Sequence, residues 1–376
     1  MLAIFNNIPF TIMATGALVG IAASLLGSFL LLRKSGMLSD AISHSIVFGI
    51  VVVWLISRQQ SGPVQIIGAA LTGVLTVFLT EALAASKRVK YDAAIGLVFP
   101  ALFSIGVLLM NLYARNVHID QHTVLLGEIA FVWLNTYHIA GVEVPKSLLW
   151  MGVMTLINLL FVSLFYKELK LATCDAALAK ALGFAPVALF YGLLALTSAS
   201  AVAAFDSVGA ILFITFIIVP PAAAYLLTDK LWKVMFYASL IALGSSIAGY
   251  YLAVFWDVSV GGMMALMTGI FLLLAFFLSP RYGLIVQELR RFQSQEQNLS
   301  RALAVHLYHH ENTPAQAEEN VVSALREHLR WKDASIRRAL IRSLDDGVIQ
   351  RQGELLVLTA KGRSIAQEIF EPWKSS

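Results

Sequence analysis

The stretch "LSDAISHSIVFGIVV", Leu38 to Val52, decides how this chain is read. It sets Asp40 and His44 four residues apart at the head of a continuous apolar run. On an α-helix, residues i and i+4 lie on one face. That face therefore turns a carboxylate and an imidazole toward the same point. Whether the point lies in water, in a protein core or in a membrane depends on what surrounds it.

Working outward, the 376 residues are 58% hydrophobic and only 13% charged, with a mean hydropathy of +0.76. Soluble domains carry about 25% charged residues. Runs of about 20 apolar residues suffice to cross a hydrocarbon core of about 30 Å. The chain reads as an all-α polytopic membrane protein, because a soluble helical core needs more polar surface than Met1–Leu278 supplies. The lone cysteine, Cys174, excludes an intramolecular disulfide. The start, "MLAIFNNIPF", has no Lys or Arg ahead of its apolar run and reads as part of the first span rather than a cleaved secretory signal.

Nine spans are expected, near Pro9–Leu32, Ser35–Leu55, Val64–Ala85, Ala93–Leu112, Ser147–Phe165, Ala185–Ala204, Val208–Leu227, Trp232–Val254 and Gly261–Leu278. Thr123–Val142 is apolar but interrupted by Glu128 and Asn135; it reads as a re-entrant or lip helix, or as a tenth span. Basic residues set the orientation. Arg33, Lys34, Lys87, Arg88, Lys90, Lys167, Lys170, Lys230, Lys233 and Arg281 fall on alternate loops, against Arg58, Arg115 and Lys146 on the others. By the positive-inside rule the first set is cytoplasmic. The N-terminus is then outside, the C-terminus inside, and a long external loop runs from about Tyr113 to Lys146.

If Lys34 marks the cytoplasmic edge, a rise of about 1.5 Å per residue puts Asp40 about 9 Å and His44 about 15 Å deep. Ionisable side chains at such depth usually face a bundle interior and mark a pathway. An oxygen and a nitrogen ligand make half of a site for Mn, Fe or Zn. Spacing alone equally allows an Asp–His hydrogen bond between packed helices, or an N-cap at Ser39 or Asp40.

At Tyr282 the composition shifts to charged and mixed in sign, so 1–283 reads as the membrane domain and 284–376 as a separate cytoplasmic one. The second part reads as helices over Leu284–His310, Gln316–Leu329 and Ser335–Asp345. Strands follow at Val348–Arg351 and Leu355–Leu358, then a helix capped by Thr359. That order is a small α+β winged helix-turn-helix. Arg337, Arg338 and Arg342 lie on its presumptive recognition helix. Yet 13 Lys+Arg against 12 Asp+Glu give no strong basic field, so nucleic acid is not an expected partner. His306, His309 and His310, with Glu311, form either a regulatory metal site or a solvated helix end.

Four stretches in order carry a family resemblance. "GMLSDAISHSIVFGIVV" resembles the second-helix signature of the membrane subunits of ABC-type manganese, zinc and iron importers. "KYDAAIGLVFPALFSIGVLL", "LKLATCDAALAKALGF" and "FDSVGAILFITFIIVPPAAAYLLT" resemble an acidic-Ala-Ile-Gly span start, the cytoplasmic coupling segment and a Val-Gly…Pro-Ala-Ala segment of the same family. The resemblance covers roughly residues 10 to 283. Two departures stand out. Val47, Phe48 and Gly49 replace a Leu-Pro-Gly, leaving the helix unkinked. Cys174, Asp175 and Ala176 replace Phe-Asp-Pro where the coupling helix starts.

The resemblance implies that Asp40 and His44 are metal ligands on the translocation path. It also implies coupling to an ATPase through Thr173, Asp175, Ala179 and Gly183. Thr173–Gly183 is expected as one short amphipathic helix, with Asp175 and Gly183 suiting N-cap and C-cap roles. No GxxxxGK[ST] occurs, so ATP hydrolysis belongs to a separate ATP-binding subunit and the chain is not itself an enzyme. The other implied partners are an extracytoplasmic metal-binding protein, a second permease subunit and the lipid of a bacterial inner membrane. Mn2+, Zn2+ or Fe2+ is the transported substrate, manganese foremost, with no permanently bound cofactor.

Asp206, on a tight external turn, and Asp257, on the next external loop, read as an outer lip or as solvated turn residues. Glu81 is expected to pair with Arg33 or Lys34 as packing, and Pro220–Pro221 to kink the seventh span. Met263, Met264 and Met267 read as core or lipid-facing rather than a copper site. His118, His122 and His138 read as scattered loop histidines. "LTAKGRSIA" resembles the closing motif of repressors of the diphtheria-toxin-repressor type. The rival functions are a membrane-anchored, metal-responsive transcriptional regulator and a proton-driven transporter.

Overall fold

The computed structural model describes residues 7–58, 63–113, 129–139, 142–280 and 282–370, with the backbone alone at Pro63, Ile139, Val142 and Asp206. The chain divides into two compact units, Met1–Gly283 and Leu284–Ser376.

Among the described residues of the first unit, nine helical segments are long and apolar enough to cross a bilayer. They lie in α1 (Ile8–Leu32), α2 (Gly36–Ser57), α3 (Pro63–Ala85), α4 (Tyr91–Tyr113), α5 (Lys146–Leu164), α8 (Pro186–Leu227), α9 (Leu231–Trp256) and α10 (Val260–Leu278); short α6 (Tyr166–Cys174) and α7 (Ala176–Ala181) stand between α5 and α8. The eighth label covers two spans. At about 1.5 Å per residue its 42 residues would reach about 63 Å, twice a bilayer core, if straight. Gly209 breaks the run with φ 75° and ψ 167°, backbone that a side chain disfavours. The rings of Phe205 and Phe213, on either side of the break, come to 6.2 Å. In a continuous helix those residues stand about 12 Å apart along the axis. The non-helical backbone in this run is at Gly209, while Pro220 and Pro221 lie inside its second half.

Helix α1 is the most buried span and packs on α5, α8 and α9. Small residues let it approach closely. A Cβ on Gly27 would stand 1.9 Å from the Ile217 carbonyl oxygen, so only glycine fits this crossing. Lipid offers no hydrophobic drive between helices, and buried hydroxyls instead bridge them. Ser24 Oγ donates to the Phe216 carbonyl at 3.3 Å, Asn158 Nδ2 to Ser200 Oγ at 2.8 Å, and Ser45 meets Thr76 at 2.7 Å. Met264 is fully buried against Gly16 and Gly249, which makes it core.

The segment Thr123–Val142 is no tenth span over its described part. Ile129–Phe131 is a single 3-10 turn, and β1 (Thr136–Ile139) pairs antiparallel with β2 (Val142–Pro145), Thr136 opposite Pro145. His118, His122 and Thr123–Glu128 lie outside the described residues.

The second unit has its own core, built from Leu303, Ala304, Leu307, Leu325, Ile336, Ala339, Val348, Leu356 and Ala366 among others. Helix α11 (Leu284–His310) leads into α12 (Gln316–Glu319), α13 (Leu325–His328) and α14 (Asp333–Asp345), then β3 (Ile349–Gln352), β4 (Leu355–Leu358) and α15 (Ala360–Phe370). The expected helix over Gln316–Leu329 is corrected to two single turns. Between them the chain turns extended: the Leu356 N–H donates to the Asn320 carbonyl at 2.8 Å, and Val321 bridges to Leu355. The β-branched pair Val321–Val322 suits that edge pairing better than a helix.

Candidate functional site

Helix α2 buries Leu38, Ser39, Ala41, Ile42, Ser43, Ser45 and Ile46 against its neighbours, packing on α3, α4 and α8. The serines on that side satisfy themselves locally, Ser43 Oγ donating to the Ser39 carbonyl at 2.8 Å. The opposite face holds Met37, Asp40 and His44, which stay partly open at the surface of the single chain. The side chains of His44 and Asp40 are 35% and 47% exposed. His44 leans on Phe99 of α4, with ring centroids 5.8 Å apart and planes at 29°. Its Nε2 then stands 3.5 Å from Asp40 Oδ1. A charge-assisted hydrogen bond would be shorter, about 2.7–2.9 Å. Two ligands of one tetrahedral ion, with bonds of about 2.1 Å, lie about 3.4 Å apart. Asp40 is also not the N-cap of α2; that position falls to Ser35.

The coupling residues fall on two helices rather than one. Thr173 lies in the last turn of α6, and Asp175 separates that helix from α7. Asp175 caps α7, its Oδ1 accepting the Leu178 N–H at 2.9 Å. The far end is a Schellman turn: the Phe184 N–H reaches the Ala179 carbonyl at 3.0 Å and the Gly183 N–H reaches Lys180 at 3.1 Å, with Gly183 at φ 86°. Ala179 is fully buried, whereas Leu178, Leu182 and Phe184 are exposed. A short helix thus stands with its ends fixed and an apolar face outward.

Asp257 is exposed, in left-handed backbone at φ 54°, and ends α9 through its own N–H to the Ala253 carbonyl. Asp206 lies on helical backbone just before the Gly209 break, not on a separate loop; its side chain is outside the described residues. Glu81 does serve packing, but with a different partner: Tyr191 Oη donates to it at 2.5 Å. Arg33 instead sits over the Phe190 ring at 4.1 Å. His138 is exposed, 3.7 Å from Glu143.

In the second unit the histidine site is regrouped. Glu311 accepts from Arg363 at 2.8 Å, and His309 packs on Phe370 with ring centroids 5.9 Å apart. His306 and His310 meet Glu319 instead, their ligand atoms all within 4.8 Å of one another. Glu319 is nine residues past the histidine run, across the turn into α12, so no local spacing signals it. Burial pushes the His306 imidazole below its ordinary pKa.

The sequence profile of the ABC 3 transport family matches residues 6–279. This chain belongs to the ABC 3 transport family. It is therefore a multi-pass membrane permease of the ABC class, whose ATP hydrolysis lies elsewhere. It is 43% identical over 350 residues to the zinc transport system membrane protein TroD of Treponema pallidum, covering 93% of this chain and 95% of TroD. It is 45% identical over 287 residues to the manganese transport system membrane protein MntD of Bacillus subtilis, covering 76% of this chain and 97% of MntD. Among solved structures, PsaBC from Streptococcus pneumoniae in complex with Fab is similar at a TM-score of 0.62 and 26% identity, over 75% of this chain and 98% of the matched one. An alignment of 350 residues cannot fit within 1–283, so the TroD match runs into the second unit.

Proposed function

We propose that this chain is the membrane permease of an ATP-driven importer for a divalent transition metal, manganese, zinc or iron, in a bacterial inner membrane. The observation that carries the metal path is the Asp40–His44 pair: an oxygen and a nitrogen 3.5 Å apart, half open on the face of α2 turned away from its buried side. A carboxylate and an imidazole facing acyl tails would be costly. A second permease subunit covering this face removes that cost and makes a path with one pair from each subunit. The relatives named for zinc and manganese transport support the cargo class. Hard-to-borderline O and N ligands without thiolate accept all three ions in similar geometry.

An ATP-binding subunit docks on α7 through Leu178, Leu182 and Phe184, and an extracytoplasmic metal-binding protein delivers the ion from the other side. The N-terminus is outside and the C-terminus cytoplasmic. Asp257 and Asp206 act at most as a weak outer lip. The second unit is a winged helix-turn-helix of the diphtheria-toxin-repressor type, serving regulation or protein contact rather than DNA. Its helices, hairpin and closing helix follow that order, with Thr359 Oγ1 accepting the Gly362 N–H at 3.1 Å as an N-cap.

Asp40→Ala and His44→Ala should each reduce metal accumulation in cells by at least about tenfold while the transporter still assembles with its ATPase. Wild-type accumulation in both variants, at equal membrane abundance, retires the ligand assignment.

A further inference from the structure

Three segments of the second unit converge on one small volume. His306 and His310 stand one turn apart at the end of α11, Glu319 ends α12, and His328 ends α13. The rings of His306 and His310 lie 4.9 Å apart, and those of His306 and His328 lie 6.3 Å apart. His328 Nδ1 is 2.9 Å from Glu319 Oε2. That oxygen is buried and nonetheless makes no aligned hydrogen bond, and His306 Nε2 is likewise buried without a hydrogen-bond partner. Buried polar atoms are almost always paired, so the unpartnered His306 Nε2 in this cluster calls for a reason.

We infer that His306, His310, Glu319 and His328 form a binding site for a borderline divalent transition cation of the zinc class, separate from the membrane path. Three imidazoles and one carboxylate are the donor set of a four-coordinate site, and four protein ligands leave no open position for catalysis. Bonds of about 2.1 Å put such ligands about 3.4 Å apart; the ligand atoms of His306, His310 and Glu319 lie within 4.8 Å of one another, and His328 joins them through its 2.9 Å approach to Glu319. The ion would tie α11, α12 and α13 together, fixing the two single turns that lead into α14.

The test uses Co2+ as probe on the full chain, purified in detergent and carrying Asp40→Ala and His44→Ala so that the membrane pair is removed. About one Co2+ per chain is expected, with absorption of tetrahedral intensity that Zn2+ abolishes. His310→Ala, and separately the near-isosteric Glu319→Gln, should each weaken Co2+ binding at least about tenfold at unchanged helical circular dichroism. Should His310→Ala lose structure, Glu319→Gln alone decides. No Co2+ bound by the parent, or unaltered affinity and spectrum in Glu319→Gln, overturns the site. Because the membrane pair is absent throughout, the result does not depend on whether Asp40 and His44 carry metal during transport.

Discussion

One side chain's position relative to its neighbours decides what Asp40 and His44 can do. Ser39 and Ser43, adjacent in sequence, are buried and bond within their own helix. Asp40 and His44, about 100° further round, are left facing outward. Substitution at a glycine tests the same close packing from the other side. A Cβ at Gly27 would collide with the Ile217 carbonyl at 1.9 Å, whereas one at Gly269 meets nothing within 4 Å. Backbone cannot yield as a side-chain tip does, so Gly27→Ala should destabilise by about 1–3 kcal/mol or more. Thermal unfolding of the detergent-solubilised chain should show the loss for Gly27→Ala and none for Gly269→Ala. Equal melting of the two would mean that α1 and the second half of α8 do not touch as described.

At the scale of elements, α7 has both its ends fixed by caps. Asp175→Ala removes one capping bond, worth about 1 kcal/mol, and should loosen the helix without unfolding the membrane unit. Leu178→Glu with Leu182→Glu should do more, because it charges the exposed apolar face. Co-purification of the ATP-binding subunit should fall at least several-fold while the permease remains folded; undiminished recovery would put the docking surface elsewhere. Elements like these were legible in sequence to very different degrees. The nine spans could be read to within about two residues at each end, because bilayer crossing needs only length and apolarity, and both are local. The fold-back at Gly209 was readable as a turn but was ascribed to Asp206, since a glycine hinge inside a helical run has no loop to announce it. Gln316–Leu329 failed because Val321 takes its shape from Leu355, over thirty residues away. For the same reason Glu319 and His328 escaped notice while His306 and His310 did not. The Asp40–His44 pair sat on a single helix, where spacing fixes proximity, and so its 3.5 Å approach could be anticipated.

For the whole molecule, the docking of α7 and the direction of transport both depend on which end faces the cytoplasm. The MntD match covers 97% of that relative with 287 residues, so a permease of this family is complete without a unit like Leu284–Ser376. Orientation must therefore be argued from the membrane unit itself. Its one cysteine supplies the probe. Cys174 is exposed at the end of α6, beside the proposed ATPase contact. The proposed orientation, resting on Arg33, Lys87, Arg88, Lys167 and Lys170 and the positive-inside rule, puts that end inside. A membrane-impermeant maleimide should leave Cys174 unlabelled in intact spheroplasts and label it in inside-out vesicles. Adding the ATP-binding subunit to those vesicles should slow the labelling, since the thiol would lie under the docked partner. Labelling from the outside of intact cells would reverse the topology, and with it the assignment of α7 as the element that receives the ATPase's motion.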